Sequence, residues 1–234
     1  MKIALIVRPP AREELGPLQP LLEQAGYAIH DLEADVAALA QQAPLAADLV
    51  VVLGTPLVAA KRGHDPWSPE HISWLRQRLL ADRPTLGIRY GAQWMARALN
   101  ARVHAGSRQQ SGWAPLTLGR EGEDFAGMAE YLAQAPAVPH WPGDAYDLPS
   151  GARHLAASAL CETQAFAWGA HCLALHFSPQ VTSHVAAYAT AHAQQPTAAA
   201  QFLTTWLATL SGCRCQPVLA PLVRMERPPC RRHF

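Results

Sequence analysis

The chain has no long hydrophobic run. Its first apolar stretch, Ile3 to Val7, is stopped by Arg8-Pro9-Pro10 and is too short for a signal-peptide core or a membrane span. It has no marked excess of charge of either sign. Lys and Arg nearly balance Asp and Glu, the net charge is +1, and no basic stripe marks a nucleic-acid partner. The five cysteines form no even, spaced set, and three of them (Cys213, Cys215, Cys230) crowd the last stretch, which argues against a disulfide framework. There is no Gly-rich phosphate loop, no dinucleotide fingerprint, no paired-carboxylate acid/base set and no internal repeat. A cytoplasmic protein without membrane or nucleic-acid business is the expectation.

Half of the 234 residues are hydrophobic, enough for one sizeable core. Lys2 to Val7 and Asp48 to Leu53 read as strands buried on both faces, with Tyr27 to Leu32 a further strand and residues 11 to 25 helical in spacing. Ser68, Pro69 and Glu70 form a helix start, followed by an apolar stripe of Ile72, Leu75 and Leu79. Pro84 to Ile88 is the next strand and Gly91 to Leu99 the next helix. Strands alternating with helices predict a mostly parallel sheet covered on both faces. The second half offers short extended runs: Trp113 to Leu118, Ala137 to Trp141, Arg153 to Ser158, Thr163 to Trp168 and Cys172 to Phe177. Gly169-Ala170-His171 suits a hairpin turn. Ala-rich helices are expected near 182–193 and 197–210, and residues 211–234 as an irregular Cys-, Arg- and Pro-rich tail.

The segment carrying most chemistry is Gly87-Ile88-Arg89-Tyr90-Gly91-Ala92-Gln93. A tight strand-to-helix turn there presents one side chain at the rim of the sheet, beside helix N–H groups. One further segment precedes it, Gly54-Thr55-Pro56, and three follow: Gln110-Ser111-Gly112-Trp113, His140-Trp141-Pro142-Gly143-Asp144, and Cys161-Glu162-Thr163-Gln164-Ala165-Phe166. Leu175-His176-Phe177-Ser178-Pro179-Gln180-Val181-Thr182 completes the set. Together, over residues 48 to 190, they resemble class I glutamine amidotransferases, in the branch related to the glutaminase domain of GMP synthase. That family reads Gly-Ile-Cys-x-Gly-x-Gln at the turn and Gln-Phe-His-Pro-Glu-Val-Thr at the last segment. Its Cys attacks the side-chain amide of glutamine, its His is the base and its Glu orients the base. Its Gly-Gly-Pro supplies an oxyanion-hole amide, and its Glu-Ile-Gly-Trp lies near the glutamine pocket.

All three triad positions depart from this pattern. Arg89 stands at the nucleophile, Ser178 at the base and Gln180 at the orienting acid. A guanidinium stays protonated and cannot attack, a serine hydroxyl has no useful basicity at neutral pH, and an amide has no charge to stabilise an imidazolium. Pro142 and Gln110 depart as well. The resemblance therefore implies the family's fold without its thioester chemistry. Arg89 has two readings: an anchor for a carboxylate or phosphate beside a helix N-terminus, or a plug that pairs with a nearby acid, Asp144 being the candidate. Tyr90, Gln93, Gly54, Thr55, Gln110, Trp113 and Asp144 are the other ligand-binding candidates. Cys172 and His176 share a strand face on simple alternation and are weighed as a substitute reactive pair, against plain packing. In the tail, Cys213, Cys215, Cys230 and His233 are weighed as soft ligands for zinc, against reduced thiols in a tail without metal.

The expected architecture is a three-layer α/β sandwich with a mostly parallel central sheet, helices on both faces and a small antiparallel portion, occupying residues 1–210. The expected role is a non-catalytic binding or regulatory subunit in a biosynthetic pathway, with a synthase-like enzyme or a second copy as partner and no cofactor. An enzyme of altered chemistry acting on an anionic small molecule, and a scaffold acting through the tail, are the alternatives.

Overall fold

The computed structural model describes residues 2–8, 15–33, 36–54, 68–106, 112–135, 137–140, 144–179 and 195–212. The first half runs β1 (Lys2–Arg8), α1 (Leu18–Gln24), β2 (Tyr27–Glu33), α2 (Val36–Ala40), β3 (Leu49–Val52), α3 (Pro69–Leu80), β4 (Thr85–Ile88) and α4 (Tyr90–Ala98). The second half contains β5 (Val103–Ala105), β6 (Gly112–Ala114), β7 (Thr117–Leu118), α5 (Met128–Gln134), β8 (Val138–His140), β9 (Asp144–Tyr146), β10 (Arg153–Ser158), β11 (Cys161–Trp168), β12 (Cys172–Leu175) and α6 (Gln195–Thr209).

Eight strands form one sheet in the order β2-β1-β3-β4-β12-β11-β10-β7. It is parallel from β2 through β12 and antiparallel beyond. Two small antiparallel pairs, β5 with β9 and β6 with β8, lie apart from it. The period of two along the central strands sorts their side chains into two cores. Ala4, Ile6, Leu49, Val51, Leu86, Ile88, Leu173 and Leu175 face one cluster, which α1, α5 and α6 cover with Leu18, Leu22, Tyr131, Phe202 and Trp206. Leu5, Val7, Val50, Val52, Cys172 and Ala174 face the other, covered by Leu39 of α2, Trp74, Leu75 and Leu79 of α3, and Trp94 and Met95 of α4. This is the expected three-layer arrangement.

Local chemistry sets the boundaries. Ser68 caps α3: its Oγ accepts from the His71 N–H at 3.4 Å and the His71 Nδ1 accepts from the Ser68 N–H at 3.3 Å. The expected run Trp113 to Leu118 is two strands in two sheets, because Pro115 between them has no N–H for a ladder. The strand expected to reach Phe177 ends at Leu175. Helices α2 and α5, and strands β5 and β9, are too short to carry a periodic signal. The helix expected near 182–193 and the tail from residue 213 lie outside the described residues.

Two polar devices hold the sheet's lower end, at the start of β4 and β12. Asp82, at φ +47°, accepts from the N–H groups of Ala170 and His171 at 3.0 Å each, and its second oxygen lies 2.9 Å from His171 Nδ1. It thereby fixes the β11–β12 hairpin to the turn that enters β4. Arg78 of α3 is wholly buried. Its guanidinium donates to the carbonyls of Pro44 (2.8 Å), Ala47 (3.0 Å) and Pro84 (2.8 Å), and its Nε donates to Thr85 Oγ1 (3.2 Å). One fork thus ties a helix to the loop before β3 and to the start of β4.

Candidate functional site

The rim at the C-terminal ends of β3, β4 and β12 gathers the side chains singled out by sequence. Its centre is the turn between β4 and α4. Arg89 sits there at φ +57°, ψ −111°, an uncommon conformation for a residue with a Cβ, costing about 1–3 kcal/mol. The surrounding backbone imposes it. The Arg89 N–H donates to the Leu175 carbonyl of β12 at 2.7 Å, and its carbonyl accepts from Ala92 and Gln93. A Cβ on Gly91 would run into the Val52 carbonyl oxygen, and one on Gly87 would meet Met95 Sδ and the Gly91 backbone. The two glycines let β3, β4 and α4 approach closely enough to turn the chain sharply, which throws the residue-89 side chain to the rim. Gly54, two residues past β3, lies against the Tyr90 side chain, where a Cβ would also clash.

Gln93, one turn into α4, organises the neighbourhood. Its Nε2 donates to the Asp144 carbonyl at 2.9 Å and lies 3.2 Å from His176 Nε2. An amide nitrogen facing a carbonyl must donate, so its other hydrogen faces the imidazole, and His176 Nε2 is the acceptor. The His176 proton is therefore assigned to Nδ1, which lies 3.7 Å from Cys161 Sγ, while Cys161 donates to the Thr163 carbonyl at 3.4 Å. The chain Asp144–Gln93–His176–Cys161–Thr163 links α4, β9, β11 and the exit of β12. Tyr146 packs its ring 5.0 Å from that of His176.

The electrostatics keep these groups neutral. His176 is pushed down to about 4, first by burial, then by His140 and Arg89, with the Asp144 carbonyl pulling the other way. Burial lowers His140 and raises Cys161. Tyr146 is held well above its usual range by burial and by Cys161. A thiol that resists ionisation, facing an N–H rather than a lone pair, is not an activated nucleophile.

The neutral His176 has a measurable consequence. Its folded-state value lies below the ~6.5 of an exposed imidazole, so between pH 6.5 and 4 the unfolded chain binds a proton that the folded chain refuses. Stability therefore falls as pH drops through that window, by on the order of 2 kcal/mol from this group. His176→Gln, the residue the resembling family carries there, removes the titrating group. Urea titrations at pH 7 and pH 4.5 are expected to show a smaller acid loss for the variant; equal losses would disprove the assignment.

The structure decides several readings that the sequence left open. Asp144 does not pair with Arg89; its carbonyl receives Gln93, and no ion pair joins the two among the described residues. Cys172 and His176 do not share a site. β12 runs parallel to β4, so Cys172 lies level with Thr85 at the far end, while His176 follows Leu175, which lies level with Ile88. Cys172 donates to the Arg83 carbonyl at 3.3 Å and is pushed up to about 12 by burial and by Asp82. It is a packed thiol. Ser178 is buried three residues past β12. Trp113 lies in β6, opposite Pro139 of β8, and Gly112 lies opposite His140. Thr55, Gln110, Gln180, Cys213, Cys215, Cys230 and His233 lie outside the described residues. Cys161 and Tyr146 join the site without having been singled out by sequence as site residues. The Cys161 segment marks the family resemblance, but no spacing rule brings residue 161 to residue 176; the β11–β12 pairing does.

This architecture and elbow define a class I glutamine amidotransferase-like fold. A glutamine amidotransferase from Thermotoga maritima superimposes with a TM-score of 0.69 at 21% identity, covering 90% of this chain and 98% of that one. A glutamine amidotransferase from Methylobacillus flagellatus gives 0.67 at 15% identity, with 90% and 94% covered. A Thermoplasma acidophilum protein described as part of GMP synthase gives 0.60 at 16%, with 90% and 94% covered. No family model and no curated protein sequence matches the chain. At these identities the likeness establishes the fold alone. No helix among the described residues is long and apolar enough to cross a membrane.

Proposed function

We propose that this chain is a catalytically altered relative of the glutamine amidotransferases, serving as a binding or regulatory subunit without hydrolysing glutamine. The observation that carries the reading is Arg89 at the elbow. The backbone there has the geometry that elsewhere exposes a nucleophile, and the group presented is a permanent cation. Ser178 and Gln180 supply neither base nor orienting charge. The partner class is a synthase-like or pathway enzyme, or a second copy of the chain, in the cytoplasm and without a cofactor.

Altered chemistry is the weaker reading. The one thiol near the elbow among the described residues, Cys161, faces the protonated nitrogen of His176, and Cys172 lies at the other end of the sheet. Purification of the tagged protein from its native cell, with mass spectrometry, tests the regulatory role. A stoichiometric partner enzyme, or a stable homo-oligomer, is expected; a monomer recovered alone would contradict it.

A further inference from the structure

Helices α5 and α6 pack antiparallel on the face of the sheet away from α3 and α4. A Cβ on Gly127, the residue before α5, would meet Thr205 and Phe202 of α6 at 3.4–3.6 Å, while Gln134 at the other end of α5 lines the same groove as Ala198. That groove measures about 410 Å³. The buried Tyr131 and Phe202, whose rings stack 5.1 Å apart, form its floor, and the exposed Gln134, Gln201, Thr205 and Glu130 its walls. Glu123 and Asp124 are exposed in the turn leading into α5 and, with Glu130, make that end of the groove acidic. Among the described residues no ion pair engages these three carboxylates. α6 itself carries no charged residue.

The antiparallel packing brings the C-terminal end of α6 to this acidic end. There the helix passes into a 3₁₀ turn, Leu210–Gly212, from which residues 213–234 continue. Their charge is opposite to that of the groove: Arg214, Arg224, Arg227, Arg231 and Arg232 against Glu226 alone. Between Arg214 and Arg224 lies the uncharged stretch Pro217-Val218-Leu219-Ala220-Pro221-Leu222-Val223, whose two prolines favour an extended backbone. Thr205 is about 10 Å back along the helix from Gly212, a distance that a few extended residues span. We propose that residues 213–234 dock in cis on this groove, with Pro217 to Val223 against its apolar floor and the flanking arginines facing Glu123, Asp124 and Glu130. A tether this short holds the segment at an effective concentration on the order of millimolar, so contacts too weak to retain a free peptide suffice. Docked there, the segment covers the α5–α6 face. The inference is independent of whether the chain hydrolyses glutamine.

The segment's own thiols, Cys215 and Cys230, report where it lies. Gln201→Cys places a thiol on the groove wall, and Gln24→Cys places one at the exposed end of α1, the helix on the opposite flank of α6. Each full-length variant, reduced and with a chelator present, is treated with a short bismaleimide. Cross-links to Cys215 or Cys230 are then measured by mass spectrometry of the digest. Gln201→Cys is expected to give roughly fivefold more cross-link than Gln24→Cys, because docking concentrates the segment at one wall. Lysine at positions 123, 124 and 130 together is expected to reduce the Gln201→Cys yield severalfold, and so is raised salt, which screens exposed charges. Tethering alone would respond to neither change. Urea midpoints establish that each variant is folded; should the triple lysine variant not fold, the salt series on Gln201→Cys carries the comparison. Equal yields from the two thiols, or a Gln201→Cys yield indifferent to charge reversal and to salt, overturn the proposal. So do cross-links that join isotopically labelled to unlabelled chains, which would place the segment on a second copy.

Discussion

Arg78→Met is expected to destabilise the protein by about 4 kcal/mol, measured as a shift of the urea midpoint at pH 7. Methionine replaces much of the apolar stem, so the loss reports on the guanidinium rather than on a cavity. Removing it strips the buried Ala47 and Pro84 carbonyls and the half-buried Pro44 carbonyl of a charged donor, the Pro84 carbonyl alone keeping a second donor, the Val50 N–H at 3.0 Å. Each buried acceptor left unsatisfied costs about 1–3 kcal/mol, and hydrogen bonds to charged groups are the stronger ones. The same change releases the loop ahead of β3, which Trp74 Nε1 and Arg83 Nη2 hold only at the carbonyls of Gln42 and Leu45. Arg78→Lys should recover less than half of the loss, because one ammonium cannot reach acceptors arrayed around a planar fork. A domain of this kind is stable by about 5–15 kcal/mol in all, so the methionine variant sits near the edge of folding. A midpoint shift equivalent to less than about 1 kcal/mol, the net worth of one ordinary hydrogen bond, would show that the fork is dispensable.

Returning the three departed positions to the residues of the resembling family, Arg89→Cys with Ser178→His and Gln180→Glu, is expected to create glutaminase activity. The physical basis is the elbow. Gly87, Gly91 and the bond from the Arg89 N–H to Leu175 impose the turn whatever side chain occupies position 89, so a cysteine placed there inherits the geometry. Arg89→Cys alone is expected to remain silent, since Ser178 cannot take the thiol proton. Residues of a triad act as a unit, and their removal costs several powers of ten in rate, so the triple variant should exceed the single one by about 10³-fold or more. A triple variant that melts like the parent and releases no more ammonia than the single variant would place the block elsewhere, at Gln110 or Pro142.

The frame of the molecule is legible in the sequence because its central strands are unbroken apolar runs. Residues 3–7 of β1 and Leu49–Val52 are continuous β-branched and aliphatic runs, and Ser68-Pro69-Glu70 is a complete helix start. Pieces of two to seven residues in the second half are harder. β7 has two residues, and α5 covers the sheet with only Met128 and Tyr131 fully buried, too little for a period to show. The elbow can be found because a tight strand-to-helix turn demands glycines at fixed offsets. The wiring around it cannot. Gln93, Asp144, His176 and Cys161 are joined by hydrogen bonds between residues 15 to 83 positions apart, and only the pairing of β11 with β12 and the packing of α4 bring them together. The Cys172–His176 pairing, weighed against plain packing, does not form for the same reason: alternation gives the face of a strand but not the end.

We propose that the glutamine amidotransferase-like fold is kept here without glutamine hydrolysis. Ammonia release from L-glutamine by the purified wild-type chain, followed over hours at micromolar protein, tests it most directly. The predicted result is no release above the protein-free control, unchanged in Arg89→Ala. Release by the wild type that disappears in Arg89→Ala would contradict the account.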